Sequence, residues 1–512
     1  MTFEDRMKEL RRRKADALEM GGADKVARQK ERGKLTARER IAGLVDRGSF
    51  REIGMIAGAA RYGEKGDFEK LRASNFIFGR ADIDGRPVVA TADDFTVRGG
   101  ASDASIHAKF VAAEAMAGEL RLPIVRMIDG TGGGGSVKSL EEIGRTYVPF
   151  VPGWERIVAN LDTAPVVALA LGPTAGLGAA RLVASHYSVM VRNIAQVFTA
   201  GPKVAAAIGA GGAELDNEAL GGADIHATNG VVDDEAETEL EAFLRVRRFL
   251  GYLPSAAGKA PPVAAPSQKD DPTNRREASF VDIVPEDPNA AYNMRRILGG
   301  AMDRGSVFEM GARWGRGVIT AFARLDRRPV AVLASDPTYL GGSWTADGSE
   351  KARRFIELAD KFRLPVVHFV DNPGFMIGLD AERAATIRRG VEAMNAVYRA
   401  SVPWASVIIR KAYGVAGAAM SNHSRFQYRF AWPSADWGSL PMAGGVEVAY
   451  AAELKAAEDP GAKLEEIRAR LKALTSPFRT ADAFLVEDII DPRDTRPLLC
   501  EFASLAYGAL DF

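Results

Sequence analysis

The sequence predicts an α/β protein made of two copies of one fold. Three observations carry this expectation. An internal duplication runs along the chain, each half alternates strand-like and helix-like segments, and a stretch of linker composition separates the halves. A length of 512 residues also exceeds one compact unit, since a domain holds roughly 100–200 residues.

The duplication is read directly. Asp84-Gly85-Arg86-Pro87-Val88 resembles Asp326-Arg327-Arg328-Pro329-Val330, an offset of 326 − 84 = 242. The same offset carries Gly99-Gly100 onto Gly341-Gly342, Lys109 onto Lys351 and Asp129 onto Asp371. It also carries Arg121-Leu122-Pro123-Ile124-Val125 onto Arg363-Leu364-Pro365-Val366-Val367. Upstream, Asp46 to Phe50 tracks Asp303 to Val307, and downstream Pro165 to Gly176 tracks Pro403 to Gly414. Within each half, Arg86–Ala90 and Pro329–Leu333 are short β-branched runs that read as strands. Ser105–Leu120 and Ser349–Phe362 have helical apolar spacing. Pro123–Ile128 and Pro365–Val370 are strand-like again, so right-handed β-α-β crossovers are expected. Leu253 to Asn274, rich in Pro, Ala, Ser and Lys, reads as a solvated linker. The expected division is 1–252, linker 253–277 and 278–512.

Composition excludes several classes. Sixty-seven Lys/Arg balance sixty-seven Asp/Glu, which gives no support to nucleic-acid binding. In residues 1–40 thirteen Lys/Arg face eight Asp/Glu, a mild excess expected on solvated helix faces. The single Cys500 cannot form an internal disulfide or a cysteine zinc site, and the five histidines lack metal-ligand spacing, so no metal is expected. The uncharged stretch Thr163–Ala180 is broken by Pro165, Gly172, Pro173, Gly176 and Gly178, so no membrane span is expected. A cytoplasmic protein is the expectation. The run Ile208–Glu214 lacks the Gly-Lys-Ser/Thr of a phosphate loop.

Glycine-rich turns follow the strand-like segments in both halves. They are Asp129–Gly135 and Gly172–Gly178, then Asp371–Phe375 and Lys411–Gly417. Glycine admits positive φ and close backbone approach, and a strand-to-helix turn aims N–H groups at an anion or a developing oxyanion. Their recurrence at repeat-related places predicts one oxyanion hole per half. Asp129 and Asp371 are expected to brace these turns rather than to act as acids.

Five words in this order carry a family resemblance: Gly33–Arg40, Asp94–Gly100, Phe369–Phe375, Arg410–Gly414 and Ala431–Pro433. The chain resembles the carboxyltransferase β subunit of biotin-dependent acyl-CoA carboxylases, of the propionyl-CoA and methylcrotonyl-CoA type. That resemblance implies two tandem crotonase-like (ClpP/crotonase) β-β-α superhelix domains. The N-terminal one would bind acyl-CoA and the C-terminal one carboxybiotin, usually in a homo-hexamer with the active site shared between subunits. It implies biotin carried by a separate biotin carboxylase/biotin carboxyl carrier α subunit, and a coenzyme A thioester as substrate.

By the family pattern, the backbone at Gly132, Gly133, Gly176 and Leu177 serves the thioester side. Gly374, Phe375, Val415 and Ala416 serve the biotin side, with Gly414 in the same cofactor loop. Negative charge develops on the thioester and ureido oxygens, which fixed amide donors stabilise. The chain departs from the usual loops at Gly130–Gly133, at Leu177, and at Val415 and Ala418. Any residue but proline keeps its N–H, so donors survive while the pocket changes shape. Leu177, Val415 and Ala418 are the expected specificity positions, with a short-chain, propionyl-CoA-like acyl group first. A biotin-dependent decarboxylase component, a biotin-independent crotonase-type hydrolase or isomerase, and a noncatalytic scaffold are the alternatives.

Overall fold

The computed structural model describes residues 2–510 except 102, 103, 105, 131–140, 142, 143, 147, 149, 208–215, 267–270 and 473. The chain forms two compact units, Met1–Lys259 and Ala260–Phe512. In the first, a seven-stranded sheet runs Arg51–Ile53, Phe76–Ile83, Arg86–Asp93, Ile124–Ile128, Val166–Ala170, Tyr187–Val191, Asp234–Ala236. The first two pairings are antiparallel and the remaining four parallel.

The second unit repeats this order. Phe308–Met310, Val318–Leu325 and Arg328–Ser335 pair antiparallel, then Val366–Asn372, Trp404–Tyr413, Tyr428–Ala431 and Asp488–Ile489 follow in parallel. Phe76–Ile83 and Arg86–Asp93 superpose in number on Val318–Leu325 and Arg328–Ser335 at the offset of 242. The hairpin between them turns on positive φ at both repeats, 49° at Asp84 and 47° at Asp326. Strands Arg86–Asp93 and Arg328–Ser335 run three and two residues beyond the β-branched runs. Their ends carry buried polar residues, Thr91 and Asp93 in the first and Ser335 in the second.

The helices fall close to the expected segments. His107–Leu120 stops at Arg121, in the left-handed region at φ 52°. Ala346–Lys361 starts three residues before the expected Ser349, because the Thr345 hydroxyl accepts the Gly348 N–H at 3.0 Å and caps it. Lys351 on that helix donates to the carbonyls of Gly311, Trp314 and Val318. Its repeat partner Lys109 is buried, which lowers its ammonium to about 8. Residues 1–40 are helical over Phe3–Leu18 and Ala23–Glu31, and Ala37 opens a third helix, Ala37–Leu44.

Two expectations are corrected here. The basic excess of residues 1–40 is not all solvated, since Lys34 is 4% and Arg40 0% exposed. Both reach a buried carboxylate, described below. The linker stretch is also partly docked: Leu253 and Ala256 are buried, and Arg496 donates to the Asp271 carbonyl at 2.9 Å. Proline and alanine signalled irregular backbone there, and small apolar side chains let that backbone pack.

The second unit's core holds an acid-sensitive group. His368 lies between Trp344 and Trp404, its Nδ1 3.1 Å from the Met420 carbonyl and its Nε2 buried without a partner among the described residues. Burial holds it at about 4. The unfolded histidine takes a proton near pH ~6.5, which the folded one refuses, so the unfolded state binds more protons. Stability is therefore intact above pH ~6.5 and falls by about 1.4 kcal/mol per unit between there and pH ~4. We expect His368→Gln to remove this slope from the pH dependence of the urea midpoint; an unchanged slope would show that His368 does not titrate on unfolding.

Candidate active site

Buried carboxylates brace the glycine turns in both units. Asp129 follows strand Ile124–Ile128 and Asp371 lies near the end of strand Val366–Asn372, both 0% exposed. Lys34 Nζ sits 2.7 Å from Asp129 Oδ2 and 2.8 Å from Oδ1. Arg40 Nη1 lies 2.7 Å from Asp129 Oδ2, and its Nη2 reaches both Glu239 and the Leu171 carbonyl at 2.7 Å. Helix Ala37–Leu44 holds Arg40 in place through a capping box between Thr36 and Glu39. Gly172 must be glycine, because a Cβ there would overlap Asp129 Oδ1 and Lys34 Nζ. In the second unit Asp371 accepts from the Tyr292 hydroxyl at 2.9 Å, from Arg410 at 3.2 Å and from the Lys411 N–H at 2.9 Å. Burial beside this carboxylate pushes the Tyr292 phenol well up. Asp371 thus ties the Lys411 turn directly, as expected, whereas Asp129 reaches the Leu171 carbonyl through Arg40.

A second tie repeats. Gly100 and Gly342 have φ 69° and 83°, and a Cβ at either would strike the carbonyl of Asp129 or Asp371. The glycines of Asp94–Gly100 and its counterpart therefore let one loop rest on the other's backbone.

The expected amide donors separate into spent and free. Gly176 has φ 57° and precedes helix Leu177–Val183 without a side-chain cap. Its N–H already donates to the Phe198 carbonyl at 3.3 Å. The N–H groups of Leu177 and Gly178, in the first turn, have no partner among the described residues. In the second unit the Gly374 N–H is taken by Asn372 Oδ1 at 2.9 Å, whereas the Phe375 N–H is free among the described residues. Gly374 has φ 130° and open space where a Cβ would sit. Gly414, φ 59°, opens helix Gly414–Ala418, again without a side-chain cap. There the N–H groups of Val415 and Ala416 have no partner among the described residues. Val415 and Ala418 are exposed, Ala416 is buried and Leu177 is half-buried. Gly132 and Gly133, and the run 208–214, lie outside the described residues.

Sequence reading missed one pair beside the first site. Arg181, on helix Leu177–Val183, lies 3.4 Å from Asp93 Oδ1. Burial raises the Asp93 carboxyl, with Arg181 opposing the shift. The offset of 242 places Ser335 opposite Asp93, and that mismatch between repeats was the available signal.

Residues 28–510 match the carboxyl transferase domain family. The chain belongs to that family. It is 34% identical to the propionyl-CoA carboxylase carboxyltransferase subunit of Haloferax mediterranei, covering 97% of this chain and 95% of that one. It is 31% identical to the methylmalonyl-CoA decarboxylase subunit alpha of Veillonella parvula, covering 97% and 94%. Among solved structures, the transcarboxylase 12S hexamer with methylmalonyl-coenzyme A bound superposes with a TM-score of 0.86 at 30% identity, covering 99% of this chain and 95% of that one. The α/β, crotonase-like fold expected from the sequence stands. Among the described residues of this carboxyl transferase, no helix is long and apolar enough to cross a membrane.

Proposed function

We propose that this chain is the carboxyltransferase component of a biotin-dependent acyl-CoA carboxylase. It moves a carboxyl group from carboxybiotin to the α carbon of a short-chain acyl-CoA, with propionyl-CoA first. The observation that carries the reading is the pair of unspent backbone donors at repeat-related helix starts, Leu177 in one unit and Val415 in the other. The first unit takes the acyl-CoA and the second takes carboxybiotin.

The second unit's donor set fits biotin: a ureido oxygen wants N–H donors, Phe375 and Val415 each offer one, and the space where a Gly374 Cβ would sit is open. Carboxybiotin, when bound, supplies the carboxyl group and the base. The chain's own residues do the rest. Leu177 and Gly178 N–H groups hold the thioester oxygen as it becomes an enolate oxygen, with Gly132 and Gly133 proposed on the same side. Gly176 shapes that loop through its positive φ. Gly374 and Gly414 do the same around Phe375, Val415 and Ala416. Leu177, Val415 and Ala418 set the fit of the acyl group and its surroundings.

The partners follow from this reading: a biotin carboxylase/biotin carboxyl carrier α subunit, and further copies of this chain in a homo-hexamer. Neither nucleic acid nor membrane is a partner. The cytoplasm is the proposed compartment, in keeping with one cysteine, Cys500, which is free and buried. The decarboxylase relative favours one second reading, in which the same half-reaction runs in the opposite direction.

The full chain with methylmalonyl-CoA and free biotin, and no ATP, should release carbon dioxide slowly and only when biotin is present. Sedimentation should find the activity in an assembled form. Turnover independent of biotin, a strict need for ATP, or a fully active monomer would overturn the reading.

A further inference from the structure

The two units differ at one corner of the site. In the first, Arg181 is the fifth residue of helix Leu177–Val183, four after Leu177 and so on the same face. Its guanidinium lies over the Phe110 ring at 4.8 Å and the Phe76 ring at 5.5 Å. Nη1 sits 3.4 Å from Asp93 Oδ1 and 3.5 Å from Oδ2. Asp93 ends strand Arg86–Asp93, and its Oδ2 accepts the Asp129 N–H at 3.4 Å. Arg181 is 5% and Asp93 9% exposed, and Arg181 Nε is buried without a partner among the described residues.

The second unit closes the same corner without charge. Ser335 stands opposite Asp93, and its Oγ accepts the Asp371 N–H at 3.2 Å. The offset 403 − 165 = 238 places Ala419, 0% exposed, opposite Arg181. The fold therefore does not need an ion pair here. A buried cation with an unsatisfied donor is destabilising, so its presence on the first side alone calls for another role.

We propose that the Asp93–Arg181 pair is a positioning device, locking the helix that presents the Leu177 N–H to the strand end that opens the glycine turn at Asp129. Through Arg181 the helix start is referred to Asp93, and through Asp93 to the first residue of the opposing loop. The two walls around the thioester oxygen then move as one piece. Among the described residues the second unit, with Ser335 and Ala419, has no such lock on helix Gly414–Ala418. The role in catalysis rests on the function proposed above; the lock itself does not.

The test is a double variant, Asp93→Asn with Arg181→Met. It removes both charges together, keeps an acceptor for the Asp129 N–H and fills the space between Phe76 and Phe110. Losing both partners avoids stranding one buried charge, so the melting temperature should stay within about 4 °C of the unmodified chain. Amide hydrogen exchange in the full chain without substrate should become roughly 10-fold faster in Leu177–Val183 and remain unchanged in Gly414–Ala418. With methylmalonyl-CoA and free biotin, kcat should fall about 10²-fold while the acyl-CoA KM moves less than about 3-fold. Arg181→Lys alone should recover part of that rate. Unchanged exchange, or a stable double variant that keeps its kcat, would overturn the lock. If the unmodified chain shows no biotin-dependent turnover, the functional reading fails, and the exchange measurement still decides the lock.

Discussion

Leu177→Pro should lower biotin-dependent turnover by roughly 10²–10³-fold, the loss expected for one oxyanion donor. The substitution removes an N–H that has no partner among the described residues, so no internal hydrogen bond is lost with it. Leu177 is the first residue of helix Leu177–Val183, the position a helix best tolerates for proline. The preceding residue is Gly176, at φ 57°, whose freedom relaxes the usual restriction before a proline. The chain should therefore fold normally while the donor disappears. Leu177→Ala is the companion: it keeps the N–H, changes pocket volume, and should shift acyl-chain preference with a modest loss of rate. The measurement is kcat with methylmalonyl-CoA and free biotin, beside a melting curve for each variant. A well-folded Leu177→Pro chain turning over at the unmodified rate would remove this N–H from the chemistry.

That experiment depends on a distinction the sequence could not make. A glycine turn before a helix is legible, because Gly176 and Gly414 supply positive φ at matching places in the repeat. The repeat itself was legible to the residue, since Phe76–Ile83 and Arg86–Asp93 recur without a gap. Which N–H in each turn is still free was not. Gly176 spends its own on Phe198, in a strand pairing of Pro173–Ala175 with Gln196–Phe198 that local pattern does not reveal. Gly374 spends its own on Asn372, an Asx contact two residues back that the Asp371-Asn372-Pro373-Gly374 string could have suggested.

Charges were harder still. Lys34 and Arg40 belong to a helical, basic segment whose composition reads as solvated. Their destination, Asp129, lies 95 and 89 residues away, and no periodicity encodes it. The Asp93–Arg181 pair spans 88 residues and shows only as a departure from the second repeat. Strand and helix spacing report local burial; they do not report which distant ion a buried charge will meet.

The second large effect should follow from that buried cluster. Arg40 is 0% exposed and joins Asp129, Glu239 and the Leu171 carbonyl. Arg40→Met keeps much of the volume but leaves two buried carboxylates facing the single ammonium of Lys34. Removing one partner of a buried ion pair costs about 3–5 kcal/mol, far more than the pair's net worth, because the remaining charge stays desolvated. The urea midpoint of Arg40→Met should fall accordingly. Adding Glu239→Gln should return part of the loss, since it removes one of the stranded carboxylates. Two losses that simply add would show that Arg40 and Glu239 are not coupled. Activity should fall with stability, because Asp129 and Leu171 open the two loops proposed to hold the thioester. Among the described residues Arg40 is the one side chain that bonds to both, so its loss frees each loop from the other.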